Sequence, residues 1–207
     1  MAKIAFYITC SILIIFGISC SNPSPNLVPV QASMLPTKKV VVVKKDVYEV
    51  LDSLFDAQVK IKEATGRNDG YWVEQFQKSV NLKRGDAWCA AYAAYNLKFL
   101  KERGFNVEYI KSGYSPNWAF NKHRIWKTKQ PYVPFKFGDV FTLYFVEMGR
   151  AAHVGFILKD GDSHVVTQEG NTSVVNEGTR TREGDGVERK RRLKKQLYTV
   201  GRFIKDE

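Results

Sequence analysis

The apolar period of this chain changes once, around Gly138-Asp139, and that change limits what it can fold into. Ahead of it, hydrophobic residues recur at helical spacing. Val47, Val50, Leu51, Leu54, Phe55, Val59 and Ile61 fall mostly on one face behind Asp46, a suitable N-cap, which predicts a helix that stops near Thr65-Gly66. Gly66-Arg67-Asn68-Asp69-Gly70 reads as a turn, and Trp72 to Val80 as a short helix with Val73, Phe76 and Val80 inward. A third helix follows Gly85-Asp86, with Ala90, Ala93, Ala94, Leu97 and Leu100 on its packing face, and ends at Arg103-Gly104. Residues 104–137 are rich in aromatics, glycine and proline and give no order beyond one short helix from Pro116 to Lys122. Behind Gly138-Asp139 come strand-like runs, Val140 to Val146, His153 to Leu158 and His164 to Gln168, with Gly161-Asp162 as a tight turn. Residues 175–195 read as a polar, charged loop, and Leu197 to Ile204 as a last strand. Helices first and antiparallel strands afterwards predict an α+β domain with the helices on one face of the sheet. At 207 residues and 44% hydrophobic content, one core is the expectation.

The N-terminal residues belong to targeting rather than to the fold. Lys3 is followed by an apolar run from Ile4 to Ile18, short for a spanning helix and met at once by polar residues and prolines, so 1–19 reads as an export signal. Phe16-Gly17-Ile18-Ser19-Cys20 sets small residues ahead of a cysteine and resembles a bacterial lipoprotein signal. That resemblance implies cleavage before Cys20 and lipid attachment there. Pro23, Pro25, Pro29 and Pro36 among small polar residues make 20–45 a tether, with Val40 to Val43 as an alternative edge strand. The domain is then 46–207. The chain has 32 Lys and Arg against 21 Asp and Glu, a formal net charge of +11, and loss of Lys3 with the leader makes it +10. In an exported protein this balance favours anionic envelope surfaces, lipid headgroups or wall polymer, over nucleic acid.

Cysteine usage points to chemistry. Cys10 and Cys20 lie in or beside the leader, which leaves Cys89 alone in the folded body and excludes a disulfide within it. Cys89 stands in Gly85-Asp86-Ala87-Trp88-Cys89-Ala90-Ala91-Tyr92, where a loop enters a helix. Backbone N–H groups without intrahelical acceptors converge there with the positive end of the helix dipole, and both favour thiolate over thiol. Cys89 is therefore a candidate nucleophile. It needs a base, and the histidines are His123, His153 and His164. His123 stands between Lys122 and Arg124, whose charge disfavours an imidazolium. His164 follows Asp160-Gly161-Asp162-Ser163 at a hairpin. His153 opens the apolar run Val154-Gly155-Phe156-Ile157-Leu158, where a polar residue needs a reason, and is the expected base. The returning strand brings Gln168-Glu169-Gly170-Asn171 alongside, so Glu169 or Asn171 can orient its ring. Two apart in an extended segment, both can face one side.

Asp86-Ala87-Trp88-Cys89-Ala90-Ala91-Tyr92, Gly138-Asp139-Val140, His153-Val154-Gly155-Phe156 and Glu169-Gly170-Asn171-Thr172, in that order, together resemble the CHAP family of cysteine- and histidine-dependent amidohydrolases and peptidases. The similarity spans about 46–205 and includes the Thr65 to Gly70 turn. It implies a papain-like fold of the CHAP/NlpC type, with N-terminal helices packed on a C-terminal antiparallel sheet, and hydrolysis of amide bonds in peptidoglycan. It also implies that Cys89 attacks, that His153 acts as base and then acid, that Glu169 orients His153, and that Asn171 is a further polar member of the site. NlpC-type endopeptidases share the Cys-His logic but usually carry another third residue, and Glu169-Gly170-Asn171 argues against them. The glutamine that papain-like enzymes place shortly before the cysteine has no counterpart. Lys83 and Arg84 occupy that neighbourhood, and Gln77 is farther back.

Trp88, Tyr92 and Trp118, with Tyr114 and Trp126 beside them in composition, are the expected aromatic lining for sugar rings or peptide stems, with core packing as the alternative. Asp69 and Asp86 are too few and too scattered for a calcium site, so no metal or other cofactor is expected. Arg189-Lys190-Arg191-Arg192-Leu193-Lys194-Lys195 reads as a solvated loop or an anion-holding surface. The rival to a hydrolase is an envelope-binding lipoprotein that keeps the fold without the activity.

Overall fold

The computed structural model describes residues 46–173 and 184–205. The leader, Cys20, the tether and its valine run lie outside these residues. The described chain is α+β, with four helices and one six-stranded antiparallel sheet. Helix α1 is Val47–Gln58, α2 Tyr71–Ser79, α3 Cys89–Glu102 and α4 Ser115–Ala119. The strands are β1 Arg124–Lys127, β2 Val140–Phe145, β3 Arg150–Asp160, β4 His164–Thr172, β5 Gly186–Leu193 and β6 Leu197–Gly201, in the spatial order β1-β6-β2-β3-β4-β5. Among the described residues no helix is long and apolar enough to cross a membrane.

Three elements depart from expectation, each for a local reason. α1 ends at Gln58 although Val59 and Ile61 continue its apolar pattern. Lys60 turns left-handed (φ 72°), and the backbone of 60–63 pairs instead with 185–187 through Lys60 N to Val187 O, Val187 N to Ile61 O and Glu63 N to Asp185 O. Asp46 holds the N-cap position without a side-chain hydrogen bond. β1 arises in the aromatic stretch that gave no order, pairing with β6 at the sheet edge. The basic run expected as a loop is most of β5, paired residue by residue with β4 from His164 opposite Leu193 to Glu169 opposite Glu188.

The apolar side chains form two clusters. One joins Leu51 and Phe55 of α1, Val73 and Phe76 of α2 and the buried face of α3 to Val140, Val154 and Phe156. The other gathers Phe141, Leu143, Ala152, Ile157, Val165, Leu197 and Val200, with Phe135 and Trp126 against them. Burial on this scale contributes about 1.5–3 kcal/mol per large apolar side chain. Two glycines permit close approach. A Cβ on Gly170 would lie 2.6 Å from the Trp88 ring and 2.7 Å from Tyr92, and one on Gly155 would lie 2.8 Å from both Glu169 Cγ and the Phe141 ring. Glycine at these positions brings β4 against α3 and lets Glu169 lie over β3.

Candidate active site

Cys89 is the first residue of α3, so its N–H is among those with no acceptor within the helix. The side chain is only 4% exposed. Its Sγ lies 3.7 Å from Ser115 Oγ at the head of α4. His153 on β3 and the backbone N–H of Val154 also interact with the sulfur. Burial pushes this thiol up, but hydrogen bonding and charge from His153, then Ser115 and the Val154 N–H, outweigh it and leave the pKa lowered.

His153 is fully buried, and its Nε2 lies 2.8 Å from Glu169 Oε2. Its Nδ1 is buried and completes no ordinary hydrogen bond among the described residues, which makes it the nitrogen left to face Cys89. Burial disfavours the imidazolium, but Cys89 and Glu169 together raise the pKa to about 9. Glu169 is held far below the usual carboxylate range. Burial alone would raise it, and the hydrogen bonds and charge of Arg192 and His153 win. The resting arrangement these directions favour is a thiolate beside an imidazolium, with the carboxylate ionised behind it.

The carboxylate is saturated. Thr167 Oγ1 donates to Oε1 at 2.6 Å, Arg192 Nε to Oε1 at 2.8 Å and Arg192 Nη2 to Oε2 at 2.6 Å. Arg192 is buried, although it belongs to the run expected to be solvated. Alternation along β5 explains this. Arg189 and Arg191 are exposed, with Arg189 reaching Asp56 of α1 and Gln168, while Arg192 turns to the face that carries Val165, Thr167 and Glu169. The dense positive composition concealed a strand period.

Asn171 does not share a side with Glu169. It takes a left-handed conformation (φ 56°) where the β4–β5 register shifts, so the two side chains diverge. Its Oδ1 accepts the Trp88 N–H at 3.2 Å, and its Nδ2 donates to Asn68 Oδ1 at 2.9 Å and Gly184 O at 3.0 Å. Glu63 Oε1 accepts Trp88 Nε1 at 2.9 Å, and Glu63 Oε2 accepts the Asn68 N–H at 2.8 Å. Gln77 Nε2 donates to the carbonyls of Asn68 and Asp86 at 3.0 and 2.7 Å. That amide is a brace for the loop before Cys89, so Gln77 is not an oxyanion donor.

No family model, curated protein or solved structure matches this chain. The site therefore stands on its own geometry.

The expected aromatic lining is corrected. Trp88, Tyr92 and Trp118 are all buried. Trp88 stacks on Phe76 with centroids 5.7 Å apart, Tyr92 accepts a hydrogen bond from Gln168 Nε2 at 3.2 Å, and Trp118 packs on Phe203 while donating to Ser112 O. Their faces are spent on the core. Tyr114, which precedes Ser115 in the chain, is 54% exposed and lies under the Arg150 guanidinium. The other histidines are elsewhere. His123 packs on Phe203, and His164 pairs with Ser163 in the hairpin. Among the described residues no group of three His, Cys, Asp or Glu side chains is placed to hold a metal ion. Asp69 is engaged by Thr65 and Arg84, and Asp86 by the Lys83 N–H.

Proposed function

We propose that this chain is an exported cysteine hydrolase, anchored through a lipid on Cys20, that cleaves amide bonds in peptidoglycan. We read its domain as papain-like and CHAP-like, with the helices packed on the sheet. The observation that carries the catalytic reading is the alignment at the head of α3, where Cys89 meets His153 and His153 Nε2 lies 2.8 Å from Glu169. A thiol, an imidazole and a carboxylate in that order are the parts of acyl transfer.

In the first step the Cys89 thiolate attacks the amide carbonyl and a C–S bond forms. The tetrahedral oxyanion lies within reach of the Cys89 N–H. The imidazolium gives its proton to the amine nitrogen, the C–N bond breaks, and a thioester remains beside neutral His153. Water then gives a proton to His153 as its oxygen attacks the thioester, and collapse expels the thiolate and releases the carboxylic acid. Glu169, already saturated, orients His153 and takes no proton.

The test is incubation of the purified protein with sacculi, comparing wild type and Cys89→Ala, with released fragments identified by mass spectrometry. Release by wild type alone is expected. Release by both removes Cys89 as the nucleophile, and release by neither removes peptidoglycan as the substrate. The slight exposure of Cys89 favours a second reading, an envelope-binding lipoprotein with an inert thiol. That reading predicts slow alkylation by iodoacetamide near neutral pH, no faster than an ordinary thiol, and retention of the protein on sacculi without cleavage.

A further inference from the structure

We propose that Arg192 is a positioning residue of the thiol centre: by gripping both oxygens of Glu169 it fixes the carboxylate that fixes His153, and so sets how far Cys89 ionises. Its role in turnover rests on the hydrolase reading, but the thiol ionisation it controls can be measured without a substrate.

The geometry is that of a fork. Nε meets Oε1 and Nη2 meets Oε2, at 2.8 and 2.6 Å, so guanidinium and carboxylate are locked as a pair. Thr167 adds a bond to Oε1, and His153 Nε2 takes the remaining direction at Oε2. Without the fork the carboxylate is held by one bond at each oxygen, from Thr167 and from His153, and can rotate to carry Oε2 away from Nε2, releasing the ring whose Nδ1 faces the sulfur. A lysine reaches only one oxygen as a point charge and cannot prevent this.

Charge balance leads to the same residue. The thiolate and Glu169 are two buried anions, and the imidazolium and Arg192 are two buried cations. Without Arg192 the group carries an excess negative charge, which disfavours the thiolate. The other groups packed around it cannot substitute. Ser115 of α4, Thr167 of β4 and the Phe141 ring of β2 carry no charge. Lys190 of β5 is engaged by Thr172 Oγ1 and Ser173 O, and its own ammonium is pushed down by burial and then by Arg192. Glu188, opposite Glu169 on β5 and mostly buried, is itself an acid paired with Lys62, so it supplies no cation either.

A purely structural ion pair would affect stability alone, so the test reads the thiol. Alkylation of the Cys89 peptide by iodoacetamide is followed by mass spectrometry against pH, for wild type, Arg192→Lys, Arg192→Met, Glu169→Gln and the double variant Glu169→Gln/Arg192→Met, each checked by thermal melt. In Arg192→Lys the midpoint should rise by about one pH unit, slowing alkylation about tenfold at pH values well below the wild-type midpoint. In the Glu169→Gln background, replacing Arg192 should shift the midpoint less than it does in wild type, because the positioning part of its effect runs through that carboxylate. If Arg192→Met leaves too much charge unpaired to fold, Arg192→Lys and the neutral double variant carry the test. Folded Arg192 variants whose profile superimposes on wild type would overturn the proposal, as would full additivity with Glu169→Gln. A wild-type midpoint near that of a free thiol, about 8.5, would overturn it as well. A shifted profile in a protein that does not cut sacculi supports Arg192 and removes only the substrate.

Discussion

Two polar groups hold Cys89 in place, and they are built from different materials. Behind the sulfur, His153, Glu169 and Arg192 form a buried chain of formal charges on three adjacent strands. Ahead of it, Glu63, Asn68, Gln77 and Asn171 grip the loop that ends in Trp88, mostly through amide and backbone hydrogen bonds. The charged chain tunes the ionisation of the thiol. The amide group sets where the helix begins, and so where the Cys89 N–H points. Buried charges make each member of the chain costly to remove, because its partner is left unpaired in a low-dielectric interior. The amide group loses a hydrogen bond at a time, each worth far less.

The largest effect that tests this contrast is expected for Glu169→Gln. It strands the Arg192 guanidinium and takes the anion from His153, so urea unfolding should show a loss of about 3–5 kcal/mol. Alkylation of Cys89 should shift with it. If stability falls while the alkylation profile stays, the charged chain is scaffold only.

Acid should separate the same two regions. The folded pKa of Glu169 is depressed, so its contribution is fully present above the unfolded value, about 4.5, and is lost progressively as pH falls below it. Asp69, lowered to about 2 by Arg84 and then Thr65, titrates in the same window, so the Glu169 share is the difference between wild type and Glu169→Gln. For His153 the sign is opposite. Its pKa is raised, so its contribution is complete below the unfolded value of 6.5 and is lost as pH rises through about 9. Denaturation midpoints measured across pH 2–10 should show the acid loss shrink in Glu169→Gln. An unchanged acid limb would mean that Glu169 is not held ionised by its partners.

Asn171→Gly should have a smaller effect. Glycine keeps the left-handed backbone, so the change isolates the side chain. The Trp88 N–H loses its acceptor, and about 1–3 kcal/mol of stability should go with it. The alkylation rate should drop while the midpoint pH holds, because no charge near the sulfur has changed. A shifted midpoint would place Asn171 with the charged group and erase the distinction.

The amide region and the charged region also differed in how far they could be read from sequence. Cys89 and its helix declare themselves through a local signal, one cysteine ahead of small residues at helical spacing. His153 and Glu169 could be paired because a tight turn at Gly161-Asp162 fixes which residues the hairpin returns to. Arg192 was missed because six cations in seven positions look solvated, and only a strand period, seen once β5 lies beside β4, turns one of them inward. Ser115 was missed for another reason. It comes from the aromatic stretch with no period, and only tertiary contact brings its hydroxyl to the sulfur. Asn171 was found, but its direction was not, since one left-handed residue reverses the face that strand alternation predicts. The three aromatics assigned to a substrate are core for a simple reason: a small domain with little aliphatic bulk in α3 fills the gap beside its alanines with Trp88 and Tyr92.

Ser115→Ala offers the smallest and most selective test, because Ser115 touches the sulfur without belonging to either group. Its hydroxyl is 3.7 Å from Sγ, a long contact to a soft acceptor, and it stands behind burial and His153 among the influences on the thiol. Removing it leaves no buried charge unpaired and opens only an atom-sized gap, so stability should fall by no more than about 1 kcal/mol. Alkylation below the wild-type midpoint should slow about twofold to threefold as the midpoint moves up slightly. A tenfold loss would instead make Ser115 an equal partner of His153 in holding the thiolate. The contrast between a charged group and an amide group would then need a third member, supplied by α4.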